Sequence, residues 1–273
     1  MLAEIMPAKA LPRFNYEVSG TEAAEAAVHL ALTHTKRRYI IAFGSSFHGE
    51  SIGGKLIGGL GGHKNRYLEA WTGGVIKAPY PYSDETPAGM DQDQYVDYCL
   101  WYLDNHIPDV IAARDNIAAI LVEPGLAEGG NWIPPTNFLQ GIREICDKNE
   151  WLMIGDEVLT GLGRTGKMWG VDHYGVVPDI LVVGKNLSGG IVPCAGIASR
   201  DDILGDSQEF SSGSTFAGTP AGCAAGMKTL EIYERDKVVE SAAHLGVLAA
   251  EKMNVWEQFD IVRQVRGNGL LLG

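Results

Sequence analysis

Lys185 follows the apolar run Ile180-Leu181-Val182-Val183-Gly184, and Asp156-Glu157 follows a second run, Trp151-Leu152-Met153-Ile154-Gly155. An amine and a carboxylate thus stand at the ends of two strand-like segments. Buried strands ordinarily end in neutral turn residues, because a desolvated charge is costly unless it is paired. Strand ends in α/β sheets are also where ligands bind. The pair describes a site that offers a carbonyl-reactive nitrogen and a cation-seeking oxygen to one ligand.

Other segments carry chemistry of their own. Val18-Ser19-Gly20-Thr21-Glu22 is a small turn running into a helix, where free N–H groups and the helix dipole suit a phosphate, although taken alone simple N-capping is the favoured reading. Ser45-Ser46-Phe47-His48-Gly49 places an aromatic and a histidine in a flexible loop, able to cover a flat ring or merely to pack. Glu123-Pro124 closes a third apolar run, and Ser212-Gly213-Ser214-Thr215-Phe216 is a fourth polar loop. Gly161 to Lys167 matches both GxGxxG and most of GxxxxGK. Both motifs need a strand–loop–helix junction, and the second needs a hydroxyl after the lysine, where Met168 stands. A structural turn fits this segment better. Pyridoxal phosphate is one ligand that would use the lysine and the carboxylate together.

These residues need a scaffold. Strands are predicted over 39–43, 117–122, 151–155, 180–184 and 194–199, and helices over 21–35, 91–106, 134–149 and 221–246 with an interruption near Asp236. Alternation of this kind predicts an α/β fold, a mostly parallel mixed sheet covered by helices on both faces. The aromatic stripe Tyr95, Tyr98, Trp101 and Tyr102 reads as core. Gly44 to Gly62 is too rich in glycine for a helix to be assigned. Residues 261–273 read as strand, turn and a second strand whose Leu270-Leu271-Leu272 lacks a partner sheet, so the chain looks truncated.

Composition limits the partners. With 273 residues, 45% hydrophobic and 21% charged, the chain can bury a large core. A formal charge of −12 argues against nucleic acid or anionic membranes as partners. Cys99, Cys146, Cys194 and Cys223 are scattered without metal-ligand or redox spacing, which points to free thiols, and no secretory or membrane-spanning signal stands out, so a cytoplasmic location is expected.

In order along the chain, Val18 to Ala23, Phe47-His48-Gly49, Val122 to Pro124 with Glu128-Gly129-Gly130, Asp156-Glu157-Val158, Thr160 to Lys167, Pro178 to Ile180, Gly184-Lys185, Ser214 to Phe216 and Val265-Arg266-Gly267 resemble the class III (ω-amino) aminotransferases, fold-type-I pyridoxal-phosphate enzymes. The resemblance implies pyridoxal 5'-phosphate as cofactor, with Lys185 forming a Schiff base to it and later carrying a proton. It implies Asp156 against the pyridine nitrogen, Phe47 on the ring, and Ser19, Gly20, Thr21, His48 and Val158 among the cofactor contacts. Thr215 would reach the phosphate of a neighbouring subunit in a homodimer with shared active sites, and Glu128 would face substrate. The expected activity is amino transfer from an amine or ω-amino acid to a 2-oxo acid. Decarboxylase or aminomutase chemistry, or a catalytically incomplete cofactor-domain fragment, are the alternatives. Residues 1–246 are expected to form the large domain and 247–273 the start of a truncated small one. Burial at a strand end is expected to keep Lys185 neutral. Leu159 departs from the glutamine usual in the family, and no arginine for a substrate carboxylate is assignable.

Overall fold

The computed structural model describes residues 1–60, 68, 73–82, 86–205 and 209–273, so Gly61 and Gly62 of the glycine-rich segment lie outside the described residues. Its strands are β1 (Arg13–Glu17), β2 (Tyr39–Phe43), β3 (Val75–Ala78), β4 (Ile117–Val122), β5 (Leu152–Asp156), β6 (Ile180–Val183) and β7 (Ala195–Ser199). They form one sheet in the order β1-β7-β6-β5-β4-β2-β3. The pairs from β3 across to β6 are parallel, while β7 runs antiparallel to both β6 and β1. The expected mostly parallel mixed sheet is the fold observed.

Alternation along the strands builds two cores. On one face Ile40, Ala42, Leu121, Ile154, Ile180 and Val182 pack with the alanine-rich side of α2 (Gly20–Thr35), following the short α1 (Leu2–Ile5). On the other, Ile41, Phe43, Ile120, Val122, Met153 and Leu181 pack with α4 (Gln92–Trp101) and α5 (Thr136–Asn149), which follow α3 (Ile52–Ile57). Both faces of each central strand are therefore apolar, as a parallel sheet covered on both sides requires. Each fully buried aliphatic side chain contributes about 1.5–3 kcal/mol by leaving water.

α5 begins at Thr136 behind Pro135, and α4 widens after Trp101 into a ten-residue π-type stretch, Tyr102–Ile111, that holds Pro108. Tyr95 is buried and Tyr98 and Tyr102 pack on the core, while Trp101 is exposed. β1 and β3 were not anticipated. The first alternates polar and aromatic residues at a sheet edge, and the second is only four residues long.

After α6 (Asp201–Leu204) come α7 (Pro220–Arg235) and α8 (Val238–Met253), separated by Asp236 and by Lys237 in a left-handed conformation (φ 49°). α8 runs unbroken through Gly246. The tail forms a hairpin of β8 (Gly267–Asn268) and β9 (Leu271–Leu272). Among the described residues β9 pairs with β8 alone and joins no larger sheet, but Leu271 is buried while Leu270 is exposed, and this hairpin docks on the loops of the main sheet. No helix among the described residues is long and apolar enough to cross a membrane.

Candidate active site

Asp156 is the last residue of β5 and is buried beneath the 45–49 loop that follows β2. Its partner is His48, not Lys185: His48 Nδ1 lies 2.7 Å from Asp156 Oδ2, with both side chains almost wholly out of solvent. The Val158 N–H donates to the other oxygen, Oδ1, at 3.0 Å. Two neighbours thus fix the carboxylate, and each oxygen keeps a lone pair for a further donor. Among the described residues His48 Nε2 is buried with no partner, so they anchor the imidazole through Nδ1.

A cavity of about 150 Å³ opens beside this pair, lined by Phe47, His48, Gly49 and Asp156, by Val158 and Leu159, and by Gly20 and Thr21. Lys185, Glu123, Ala127 and Glu128 complete its walls. Of the ten residues expected at the site, eight therefore gather here.

Ser19 and Thr215 do not line it. The Ser19 hydroxyl caps α2, accepting the Glu22 N–H at 3.2 Å while the Glu22 carboxylate accepts the Val18 and Ser19 N–H groups at 3.0 and 3.3 Å. Thr215 is exposed in its loop. Gly20 and Thr21 form the first turn of α2, where unpaired N–H groups and the dipole favour an anion. A methyl group at Gly20 would sit 2.7 Å from Val158 Cγ1, and one at Gly49 (φ +125°) would meet Thr21 Oγ1. Only glycines let these backbones approach so closely.

Lys185 opens a short 3-10 turn after β6, with a left-handed backbone at φ 46°. It is exposed, so the desolvation expected at a strand end is not provided by the described residues. Glu128 is likewise exposed at the rim.

Two buried carboxylates escaped assignment. Glu123, after β4, accepts the Phe47 N–H at 2.8 Å and the Ala127 N–H at 3.1 Å, tying the 45–49 loop to the loop that carries Glu128. Burial pushes its carboxyl up to about 7, against the pull of His48 and of these N–H groups. Glu157 accepts from Thr160, from Gly170 N–H at 2.8 Å and from Val171 N–H at 2.7 Å, and burial raises it to about 7 as well. The signal was present: both are charges at the end of a buried strand, as Asp156 is. The Gly161–Lys167 segment is a turn closed by Gly163 N–H to Met168 O at 3.2 Å, and it joins no strand to a helix, so neither nucleotide motif is formed.

An anion-ready helix terminus, a fixed carboxylate, an aromatic and a lysine around one cavity on a parallel sheet fit pyridoxal 5'-phosphate. The chain belongs to the class-III aminotransferases, whose family profile matches residues 1–273. It is 31% identical over its whole length to the leucine/methionine racemase of Thermococcus litoralis, covering 61% of that protein, and 32% identical over 93% of its length to a probable 4-aminobutyrate aminotransferase of Bacillus subtilis, covering 58%. Among solved structures, an amine transaminase from an uncultivated Pseudomonas species, in its PLP-bound form, matches with a TM-score of 0.91 at 28% identity over 98% of this chain and 63% of that one. Taurine:2-oxoglutarate aminotransferase of Bifidobacterium kashiwanohense, in complex with PLP and glutamate, matches with a TM-score of 0.90 at 27% identity over 99% and 61%. The chain spans about 60% of the length of these relatives.

Proposed function

We propose that this chain carries the cofactor site of a pyridoxal-phosphate-dependent aminotransferase that moves an amino group from an amine or ω-amino acid to a 2-oxo acid. The buried His48–Asp156 pair opening on a cavity rimmed by Lys185 carries the reading. When bound, pyridoxal 5'-phosphate supplies an electron-withdrawing ring that stabilises negative charge at the carbon bearing the amino group. Asp156, held by His48 and the Val158 N–H, would keep a proton on the pyridine nitrogen. Gly20 and Thr21 would hold the phosphate at the positive end of α2. Phe47 and Val158 would orient the ring, and Lys185 Nζ would anchor the cofactor and serve as the proton carrier.

Exposure of Lys185, Thr215 and Phe216 supports a homodimer in which a second copy covers this side and its Thr215 reaches the phosphate. Four free cysteines support a cytoplasmic location. A second reading, amino-acid racemisation, is favoured by the likeness to the leucine/methionine racemase.

The test is a spectrum. Protein with pyridoxal phosphate should show a lysine-dependent visible band that Lys185→Ala abolishes, and an unchanged spectrum in the variant sinks the cofactor assignment. Consumption of an amine only when a 2-oxo acid is supplied marks transfer. Loss of optical activity of an amino acid without any 2-oxo acid marks racemisation.

A further inference from the structure

The Gly161–Lys167 turn and the C-terminal hairpin do no chemistry in the reading above, yet they meet. The hairpin tip is wedged between α8 and that turn: Leu270 N–H donates to Arg164 O at 2.9 Å, and a methyl group at Gly269 (φ +54°) would collide with the Thr165 backbone, as one at Gly246 would with Gly269. The other end of the hairpin grips the pocket wall. Arg266 and Gly273 exchange N–H···O bonds at 3.0 and 2.9 Å, and Arg266 Nε donates to Gly130 O at 2.8 Å. The Arg266 guanidinium also lies 3.8 Å from the centre of the Trp132 ring, and the Asn131 side chain donates to Leu272 O at 2.7 Å.

The gripped loop, 126–132, is closed on itself by Leu126 and Trp132, which exchange backbone bonds at 2.8 and 3.0 Å. It forms one closed unit, and it places Ala127 and Glu128 in the cavity wall. On its inner side it meets the 45–49 loop in two ways: the Glu123 carboxylate accepts both the Ala127 and the Phe47 N–H, and Gly129 packs so closely that a methyl group there would sit 2.5 Å from Ser45 O. We infer that Arg266 is a positioning residue that sets the Glu128 wall of the cavity relative to the cofactor strands, with the Gly161–Lys167 turn as the socket for its hairpin. A planar guanidinium suits the task, because it stacks on Trp132 while its Nε still donates in plane.

The assignment of Glu128 to substrate rests on the proposed function, but the mechanical link does not. Amide hydrogen exchange on the chain without added cofactor reads the link directly. Arg266→Ala, and Gly269→Ala at the distant tip, should each speed exchange of 126–132 by about tenfold while 45–49 stays as in the parent. Arg266→Lys, which keeps the charge over Trp132 but not the in-plane donor, should fall between. With pyridoxal phosphate and amine present, Arg266→Ala should raise the amine KM by about tenfold with kcat and cofactor affinity within about twofold. Parent-like exchange at 126–132 in Arg266→Ala overturns the positioning role, as does acceleration spread evenly over the sheet. An effect of Arg266→Ala without one of Gly269→Ala overturns the socket. Failure of the parent to bind pyridoxal phosphate would defeat the functional reading and leave the exchange result standing.

Discussion

The two sides of the cavity are built from neighbouring strand ends of one sheet, yet they differ in kind. At the end of β5, Asp156 is enclosed: β4 and β6 flank it, the 45–49 loop covers it, and His48, Val158 and Glu123 hold that arrangement by hydrogen bonds among buried and half-buried groups. One strand over, β6 ends and the chain turns at once through a left-handed Lys185, leaving that lysine, and Glu128 across from it, exposed. The closed side is finished within one fold, so its dipoles need no reorganisation when a ligand enters. The open side takes its dielectric surroundings from whatever covers it, which on the proposed homodimer is a second copy.

The largest expected effect lies on the closed side. Asp156→Asn keeps the shape and an oxygen for His48 or Val158 but removes the charge facing the ligand. Conversion of an amine in the absence of acceptor should slow by about 10²–10³-fold, with covalent attachment at Lys185 retained. Glu128→Gln, on the open side, should change the rate by less than about tenfold and act mainly through KM. Equal losses in stopped-flow rates for the two variants would erase the distinction between the sides.

Much of the closed side was legible in the sequence because local rules specify it. Apolar runs at 39–43, 117–122, 151–155 and 180–183 marked the parallel strands, and charges at the ends of the last two pointed to Asp156 and Lys185. The dipeptide Phe47-His48 was visible too, but the buried His48–Asp156 bond joins residues far apart in sequence and comes only from packing β2 and β5 around β4. Glu123 went unassigned for a related reason: its partners are backbone N–H groups, which no side-chain pattern reveals. The exposure of Lys185 was missed because strand-end burial depends on what lies over the strand. The edge strands β1 and β3 lack the long apolar run that betrays a central strand.

A smaller effect comes from the charge held inside the closed side. Burial raises the Glu123 carboxyl from 4.5 to about 7 in the folded chain. Between those values the folded state holds a proton that the unfolded state has released, so stability falls as pH rises. The contribution is fully present below about pH 4.5 and is lost as the pH passes 7, and it amounts to about 3 kcal/mol. Glu157, raised to about 7 by burial, adds a parallel slope. Glu123→Gln cannot titrate, so its unfolding free energy, followed by urea titration from pH 5 to 8 without cofactor, should decline less steeply than that of the parent. It should also be lower at pH 5, because one amide N–H₂ must face the Phe47 or Ala127 N–H, a mismatch of about 1–3 kcal/mol. Parallel pH profiles would mean that Glu123 is no more enclosed than the lysine opposite.

The smallest effect separates two hydroxyls at one helix end. Ser19 faces away from the cavity and caps α2, whereas Thr21, two residues on, lines the cavity and accepts the Glu50 N–H at 3.3 Å. Ser19→Ala should therefore cost about 0.5–2 kcal/mol of folding stability and leave the affinity for pyridoxal phosphate unchanged, since the backbone N–H groups proposed to meet the phosphate remain. Thr21→Val keeps the shape of the first turn, and by removing one hydroxyl should weaken cofactor binding by about 1 kcal/mol, roughly fivefold, with a lesser effect on stability. Thermal melts and cofactor titrations on the same two variants decide the matter. A loss of affinity in Ser19→Ala equal to that in Thr21→Val would mean that the cap reaches the phosphate through the helix itself, and the boundary of the enclosed side would then lie one turn of chain earlier than the cavity walls place it.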